Sequence, residues 1–247
     1  MITVVGLSQA GELRAAAALL CRIWGAGTES PPIPLDVLCA LAHTGGYVAG
    51  AYLDGQLVGA AAGFRTAAGQ GLHSHVVGVA PECQGRGVGF AIKQHQRRWA
   101  QEAGLDHVSW TFDPLVRRNA YLNLVRLGAT AVEYLPDFYG PLDDAINAGD
   151  PTDRLFVRWD VAPAPPTDPE GRVRAGRGHP RPGAPRPGQQ GALLVEIPAD
   201  IEALRASDPA AASRWRYAVR DSLGGALGQG YQVTGFAPEG RYKLTKQ

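Results

Sequence analysis

The segment His73–Ala100, HSHVVGVAPECQGRGVGFAIKQHQRRWA, narrows most what this chain can fold into. It sets an apolar strand, a proline stop, a loop holding Gly85, Gly87 and Gly89, and a basic helical pattern end to end. Glycines in such a turn let backbone come close to a ligand or to a neighbouring element. Two readings of the loop QGRGVG, Gln84–Gly89, fit these residues. One is a tight strand-to-helix turn. The other is an anion site, in which bare amides and a helix N-terminus attract phosphate oxygens and Arg86 adds an ion pair. No Gly-Lys-Ser/Thr follows, so the loop is not a P-loop. The strands before it form a hairpin, so it is not the dinucleotide fingerprint of a first βαβ unit.

The flanking pattern supplies the rest of an α/β layer. Ile2–Leu7 reads as a strand, Ser8 as the cap of a helix through ELRAAAALLCRIW, and LDVLCALAHTGG as a second helix stopping at Gly45–Gly46. YVAGAYL and QLVGAAAGF are strands joined by Asp54–Gly55, a strong signal for a two-residue hairpin. A strand over about 72–79 ends at Pro81, and a helix covers about 88–103, apolar at Val88, Ala91, Ile92 and Trp99 and basic elsewhere. VSWTFD is then a strand, RNAYLNLVRLG a helix closed by Gly128, and TAVEYLPDFYG and DRLFVRWD the last two strands. Strand, two helices, three strands, helix, strand, helix, two strands is the order of a mixed α/β fold around one sheet.

Residues 161–190 differ in kind: Pro, Gly and Arg dominate, apolar periodicity stops, and a linker or long loop is expected. The RGR and RPG pieces also fit nucleic-acid contact, but no aromatic residue is interleaved to stack on bases, which favours the linker. Order returns with ALLVEIP as a strand, residues 201–223 as one or two helices with Pro209 at a helix start, and YQVTGF and RYKLTK as strands around APEG. This strand–helix–helix–strand–strand extension repeats the N-terminal element order, as a partial duplication would. Its strands have three uses open to them: pairing with the first sheet, forming a second lobe, or meeting another copy through exposed edges.

Composition removes several classes of function. A net charge of +1 argues against a general polyanion binder. No apolar run approaches the roughly 18–20 residues of a membrane helix, and the start MITVVGLSQAGELR lacks the basic region and cleavage site of a secretion signal. Cys21, Cys39 and Cys83 fit neither a metal-ligand spacing nor a disulfide framework. The expectation is a cytoplasmic protein with no metal, no membrane and no nucleic-acid partner.

Gln84-x-x-Gly87-x-Gly89 after VGVAPE, in this element order, resembles the acyl-CoA loop of the GNAT acyltransferase superfamily. HSHVVGV, WTFDPLVRRNAYLNLVRLGA, YLPDFYG and DRLFVRW are similar to a bacterial branch of predicted GNAT proteins with a C-terminal extension like VEIP, WR and GYQVTGF here. The resemblance implies a GNAT-type mixed central sheet flanked by helices over residues 1–160, with residues 191–247 as an extension packed on the same unit. It implies an acyl-CoA-dependent N-acyltransferase, using acetyl-CoA or another acyl-CoA on the primary amine of a small molecule, as a monomer or homodimer. Relatives in that branch use succinyl-CoA to acylate amino acids, D-amino acids included. The implied pyrophosphate site is Gln84, Gly85, Arg86, Gly87, Val88 and Gly89, with Val77, Gly78 and Val79 along the pantetheine.

Acyl transfer to an amine needs a base, oxyanion donors and a fate for the thiolate. Strand alternation puts His73, His75 and Val77 on one face. Histone-acetylating members carry a glutamate base at the place that ungapped counting gives to His73, and an ordinary imidazole, pKa about 6.5, suits that task. Either histidine acts as base, directly or through water, or both are strand residues bonded to Ser74 or to backbone. The tyrosine acid used by many members is replaced here by Leu124. Tyr121, one turn earlier, stands in for it or packs in the core; Asn119 and Asn123 touch the CoA arm or the substrate; water is the remaining proton source. Trp110, Phe112 and Asp113 end the strand where the superfamily splays its sheet. Trp110 and Phe112 fit core packing or a substrate wall, Asp113 a helix cap or an ammonium site. Arg117 and Arg118 suit a CoA phosphate, a substrate carboxylate or plain surface charge, and Tyr134, Asp137, Phe138 and Tyr139 resemble a substrate-side wall. The missing tyrosine leaves a second reading, a non-catalytic CoA-binding sensor or interaction module.

Overall fold

The computed structural model describes residues 1–27, 31–67, 69–142, 144, 146–147, 149–161 and 192–246. The expected linker, from residue 162 on, lies outside the described residues. The first part runs β1 (Ile2–Gly6), α1 (Ala10–Trp24), α2 (Leu35–His43), β2 (Tyr47–Leu53), β3 (Gln56–Arg65), β4 (Gly71–Val79), a short 3-10 turn (Pro81–Cys83), α3 (Val88–Glu102) and β5 (His107–Phe112). It continues with α4 (Arg117–Ala120), which runs on as a π-helix (Tyr121–Arg126), then β6 (Thr130–Leu135) and β7 (Arg154–Asp160). These strands form one mixed sheet in the order β1-β2-β3-β4-β5-β7-β6, the architecture expected from the element order.

Local chemistry sets the boundaries. The cap of α1 is Gln9 and not Ser8: Glu12 Oε2 accepts from the Ser8 and Gln9 amides at 3.3 and 3.1 Å, closing a capping box one residue later than expected. Asp54 and Gly55 both take positive φ, 51° and 81°, as a type I′ hairpin requires. Helices cover both faces of the centre of the sheet. A Cβ at Gly78 would meet Trp24, Leu20 and Ile23 of α1, whereas one at Gly59 would meet Val88 and Ile92 of α3. Ala49, Ala51, Ala60, Ala61 and Ala62, all buried, keep these strands thin enough for that double cover.

β4 does not alternate regularly. Ser74 reaches Lys93 and Gln96 of α3, yet Gly78, four residues on, faces α1. The reversal comes from a bulge. Ser74 pairs with Gly63 and Val76 with Ala62, which leaves His75 as the extra residue. Val77 therefore pairs with Ala61 on the α3 face, and the expectation that it shares a face with His73 is corrected.

The C-terminal part contains β8 (Leu193–Glu196), α5 (Ile201–Ser207), α6 (Pro209–Val219), a π-helical turn (Arg220–Gly224), α7 (Gly225–Gly228), β9 (Tyr231–Ala237) and β10 (Arg241–Lys246). Its strands form a separate three-stranded sheet, order β8-β10-β9. In the N-terminal part β1 pairs with the next strand, β2; here β8 skips β9 to pair with β10. The matching element order is therefore not a matching topology.

Buried charge ties the two parts together. Asp113, just past β5, accepts from Arg216 Nη1 and Nη2 at 2.9 and 2.8 Å and from Arg205 Nη2 at 2.6 Å. Asp150 takes second bonds from both arginines at 3.0 and 2.9 Å, and Arg220 pairs with fully buried Asp153. Burial by itself would raise the Asp113 pKa, but Arg216 and Arg205 outweigh it and hold the carboxyl well below its ordinary range. Tyr242 of β10 adds a hydrogen bond to the Pro114 carbonyl at 2.7 Å. Replacing Asp113→Ala leaves buried arginines short of a partner and should cost about 3–5 kcal/mol in urea unfolding. A loss of only about 1 kcal/mol, the size of an exposed pair, would contradict this role.

Candidate functional site

The QGRGVG loop presents backbone. Gly85 and Gly87 take φ of 74° and 86°, which side chains rarely adopt, and a Cβ at either would meet nothing within 4 Å. The glycines serve chain direction here and do not relieve crowding. Gly87 is the N-cap of α3 and no side chain caps that helix. The amides of its first turn therefore lack both an intrahelical acceptor and a capping oxygen. Val88 contributes its amide alone, because its side chain is buried against the sheet. Gln84 turns back to the Val79 carbonyl at 3.4 Å, and Arg86 stands exposed.

The sheet opens beside this helix end. β4 and β5 pair in parallel at Gly71, Leu72 and His73 alone. Beyond His73, β4 runs on to Val79 with its β5-side edge unpaired, while β5 turns its other edge to β7. His73 stands at the apex of the opening. Its Nδ1 lies 3.3 Å from Ser109 Oγ, and its ring stacks on Phe156 with centroids 6.3 Å apart. His75, the bulge residue, packs its ring against Phe64 at 5.3 Å. Tyr139 reaches Thr111 at 3.2 Å, two residues from Ser109 and on the same face of β5.

Both histidines are held neutral. Burial first, then the charges of His75 and Lys93, lower the His73 pKa to about 4. Burial lowers His75 as well, against a hydrogen bond with the Pro32 backbone. Each ring is therefore unprotonated at neutral pH, the form a general base needs, although burial weakens its basicity.

Several expected site residues lie elsewhere. Asp113 is not an ammonium site: both its oxygens are taken by Arg205, Arg216 and the Leu115 amide. Trp110 stands just past the last β4–β5 pair, but its ring is buried on the α3 side, edge-on to Trp159. Tyr134 bonds Asp153 inside the ion cluster at 2.7 Å, and Asp137 shapes its own turn through Thr152. The π-helix interrupts the expected regular helix, so spacing along it does not follow 3.6 residues per turn. Tyr121 and Arg117 line a cavity of about 410 Å³ between α4 and the C-terminal part, with Ile201, Glu202 and Pro238 opposite. Arg118 is paired with Glu202 across it, whereas the Nε of Arg117 is buried without a partner. Asn119 is half-buried on α4 and Asn123 buried on the π-helix.

Residues absent from the sequence reading also meet at the opening. Ser109 and Phe156 come from strands whose register a sequence does not reveal. Lys93 and Gln96 had a signal: Val88, Ile92, Gln96 and Ala100 keep helical spacing, and all are buried.

The histidine chemistry predicts a pH dependence of stability. An unfolded histidine, pKa about 6.5, binds a proton that native His73 refuses until about pH 4. The unfolded state thus gains protons first, and stability falls as pH drops through that window. His73→Gln should lose less stability than the native chain between pH 7 and pH 4.5 in urea titrations; equal pH slopes would contradict the burial of a neutral ring.

The sequence model of the acetyltransferase (GNAT) family matches residues 14–124. No curated protein matches the chain significantly. Among solved structures, the ribosomal-protein-S18-alanine N-acetyltransferase of Escherichia coli superposes with a TM-score of 0.52 at 15% identity, over 67% of this chain and 97% of its own. A Salmonella typhimurium protein described as an acetyltransferase, solved with its cofactor acetyl-CoA, gives 0.52 at 17%, over 68% and 99%. Ribosomal-protein-alanine N-acetyltransferase of Brucella melitensis gives 0.53 at 18%, over 64% and 99%. With the strand opening and the uncapped α3 already in place, residues 14–124 of this chain belong to the GNAT acetyltransferase family.

Proposed function

We propose that the chain is an acyl-CoA-dependent N-acyltransferase acting on the primary amine of a small molecule. The observation that carries this is the β4–β5 opening beside an uncapped α3. The free amides at Gly85–Gly89 suit the pyrophosphate, and the unpaired edge of Val77, Gly78 and Val79 suits an amide-bearing arm, since both are backbone donors or acceptors in want of partners. The acceptor amine sits on the α1 side of the sheet, where His73 or His75 removes its proton directly or through water. Holding donor and amine in one opening makes the step unimolecular. Asn119 lies along the donor arm, and the donor is acetyl-CoA, or succinyl-CoA if a cation such as Arg117 meets a second carboxylate.

Residues 1–160 form the acyltransferase unit, 161–190 a linker, and 191–247 an extension that closes the α4 side. Cys21, Cys39 and Cys83 are all unpaired, which suits a reducing, cytoplasmic setting. Among the described residues no cluster of three or more His, Cys, Asp or Glu could hold a metal, and no helix is long and apolar enough to cross a membrane.

A ligand at about 100 times its Kd adds about 2.7 kcal/mol, which in a chain of this size raises the melting midpoint by roughly 5–10 °C. CoA, acetyl-CoA and succinyl-CoA should each be compared this way, and the best donor then assayed for thiol release with a panel of primary amines. A midpoint rise with amine-dependent thiol release is the expected result. A rise without thiol release for any amine would support the non-catalytic CoA-binding module instead, and no rise would reduce QGRGVG to a turn.

A further inference from the structure

The opening between β4 and β5 has a buried lysine set beneath it. Ser74 and Trp110 are the first residues past the last β4–β5 pair, His73 with Ser109. Both face α3, and Lys93 of that helix spans them: its Nζ lies 2.9 Å from Ser74 Oγ and 3.8 Å from the centroid of the Trp110 ring. Gln96 holds the same hydroxyl from the other side at 2.8 Å. Lys93 is buried, 5% exposed, and among the described residues no carboxylate pairs with it. The groups facing it are Ser74 and, across the strand, His73 from β4, Trp110 from β5 and Gln96 from α3. Burial drives its pKa well below the ordinary lysine value. An isolated buried ammonium is costly, so a negative charge arriving beside Lys93 would be strongly stabilised there.

Placement gives the use. Val79, beside the helix end that suits the pyrophosphate, and Ser74 at the apex pair with Gly59 and Gly63; because His75 is the extra residue of the bulge, they lie four strand steps apart, roughly 13 Å. A pantetheine arm laid along β4 from the QGRGVG loop thus brings its sulfur to the level of Ser74 and Trp110. His73 stands on the opposite face of the sheet from Lys93.

We propose that Lys93 receives the charge of the departing CoA sulfur, in the place of the tyrosine that Leu124 lacks. The inference rests on the acyl-CoA reading above. The amine nitrogen attacks the thioester carbon, the C–N bond forms, the C–S bond breaks and its electron pair goes to sulfur. His73 takes the proton that nitrogen loses, and sulfur leaves as a thiolate held by the Lys93 ammonium. Amide, imidazolium and a CoA thiolate paired with Lys93 result, and solvent carries the proton from His73 to sulfur as CoA departs. The two protonic groups thus act from opposite faces of one gap between strands.

The thiol of bound CoA reports this contact without any acceptor amine. Thiolate absorbance of CoA bound to the native chain and to Lys93→Met should be titrated after a melting-midpoint rise has shown that both bind CoA. A cation beside the sulfur lowers its pKa by about one to three units relative to free CoA in the native chain. In Lys93→Met that lowering should vanish, and acyl transfer should fall about 10²–10⁴-fold with acyl-CoA binding retained. Equal thiol titrations in the two proteins would overturn the role of Lys93 and leave the acyl-CoA reading standing. Failure of the native chain to bind CoA would overturn both. Removing an unpaired buried charge need not destabilise the fold; should Lys93→Met not melt cooperatively, Lys93→Gln makes the same comparison.

Discussion

The structure turns on how briefly β4 and β5 stay together. Three residue pairs join them, and past His73 the two strands part company. A parallel pair of strands leaves every unpaired amide and carbonyl in need of a partner, so a gap inside a seven-stranded sheet is a place for a ligand's backbone-like groups. The bulge at His75 belongs to the same device. It reverses the faces of the residues after it, while His73 lies against Ser109 and Phe156 and His75 against Phe64. The gap thus has histidines on one face and a buried lysine on the other.

The C-terminal part depends on a different interaction. Arg205 and Arg216 reach back to Asp113, the first residue after β5, and to Asp150, in the connection before β7. A paired, multiply hydrogen-bonded cluster avoids the penalty of a lone buried charge and fixes register, though it adds less net stability than its bond count suggests. Its position matters more. It fixes the exit of β5 and the start of α4, where Arg117 lies against the β9–β10 turn; a Cβ at Gly240 would come within 2.5 Å of the Arg117 Nε. The extension is therefore coupled to the strand that forms one side of the opening.

Much of this was legible in the chain itself. Asp54–Gly55 predicted its hairpin, Gly45–Gly46 follows the end of α2 as expected, and Pro209 opens α6. The strand, glycine loop and helix of residues 71–102 lie where their pattern placed them. What failed was anything set by pairing across the sequence. Alternation put Val77 beside His73, and a bulge that no residue type announces reversed it. Asp113 looked available until Arg205 and Arg216, about a hundred residues later, took both its oxygens. Lys93 looked like one more basic residue on a basic helix, although its neighbour Ile92 and the turn above it already pointed inward. Long-range partners decide which polar residues are free to act, and a sequence does not list them.

An acyl-CoA held jointly by the gap and the α3 N-terminus would cover the free amides of both. Amide hydrogen exchange with and without saturating acetyl-CoA tests it most directly, since each amide reports its own partner. New protection is expected at Val76–Val79 of β4 and across Gly85–Phe90, with little change in β9 and β10. Protection confined to Arg117–Tyr121 and Ala199–Glu202, around the cavity beside α4, would contradict it.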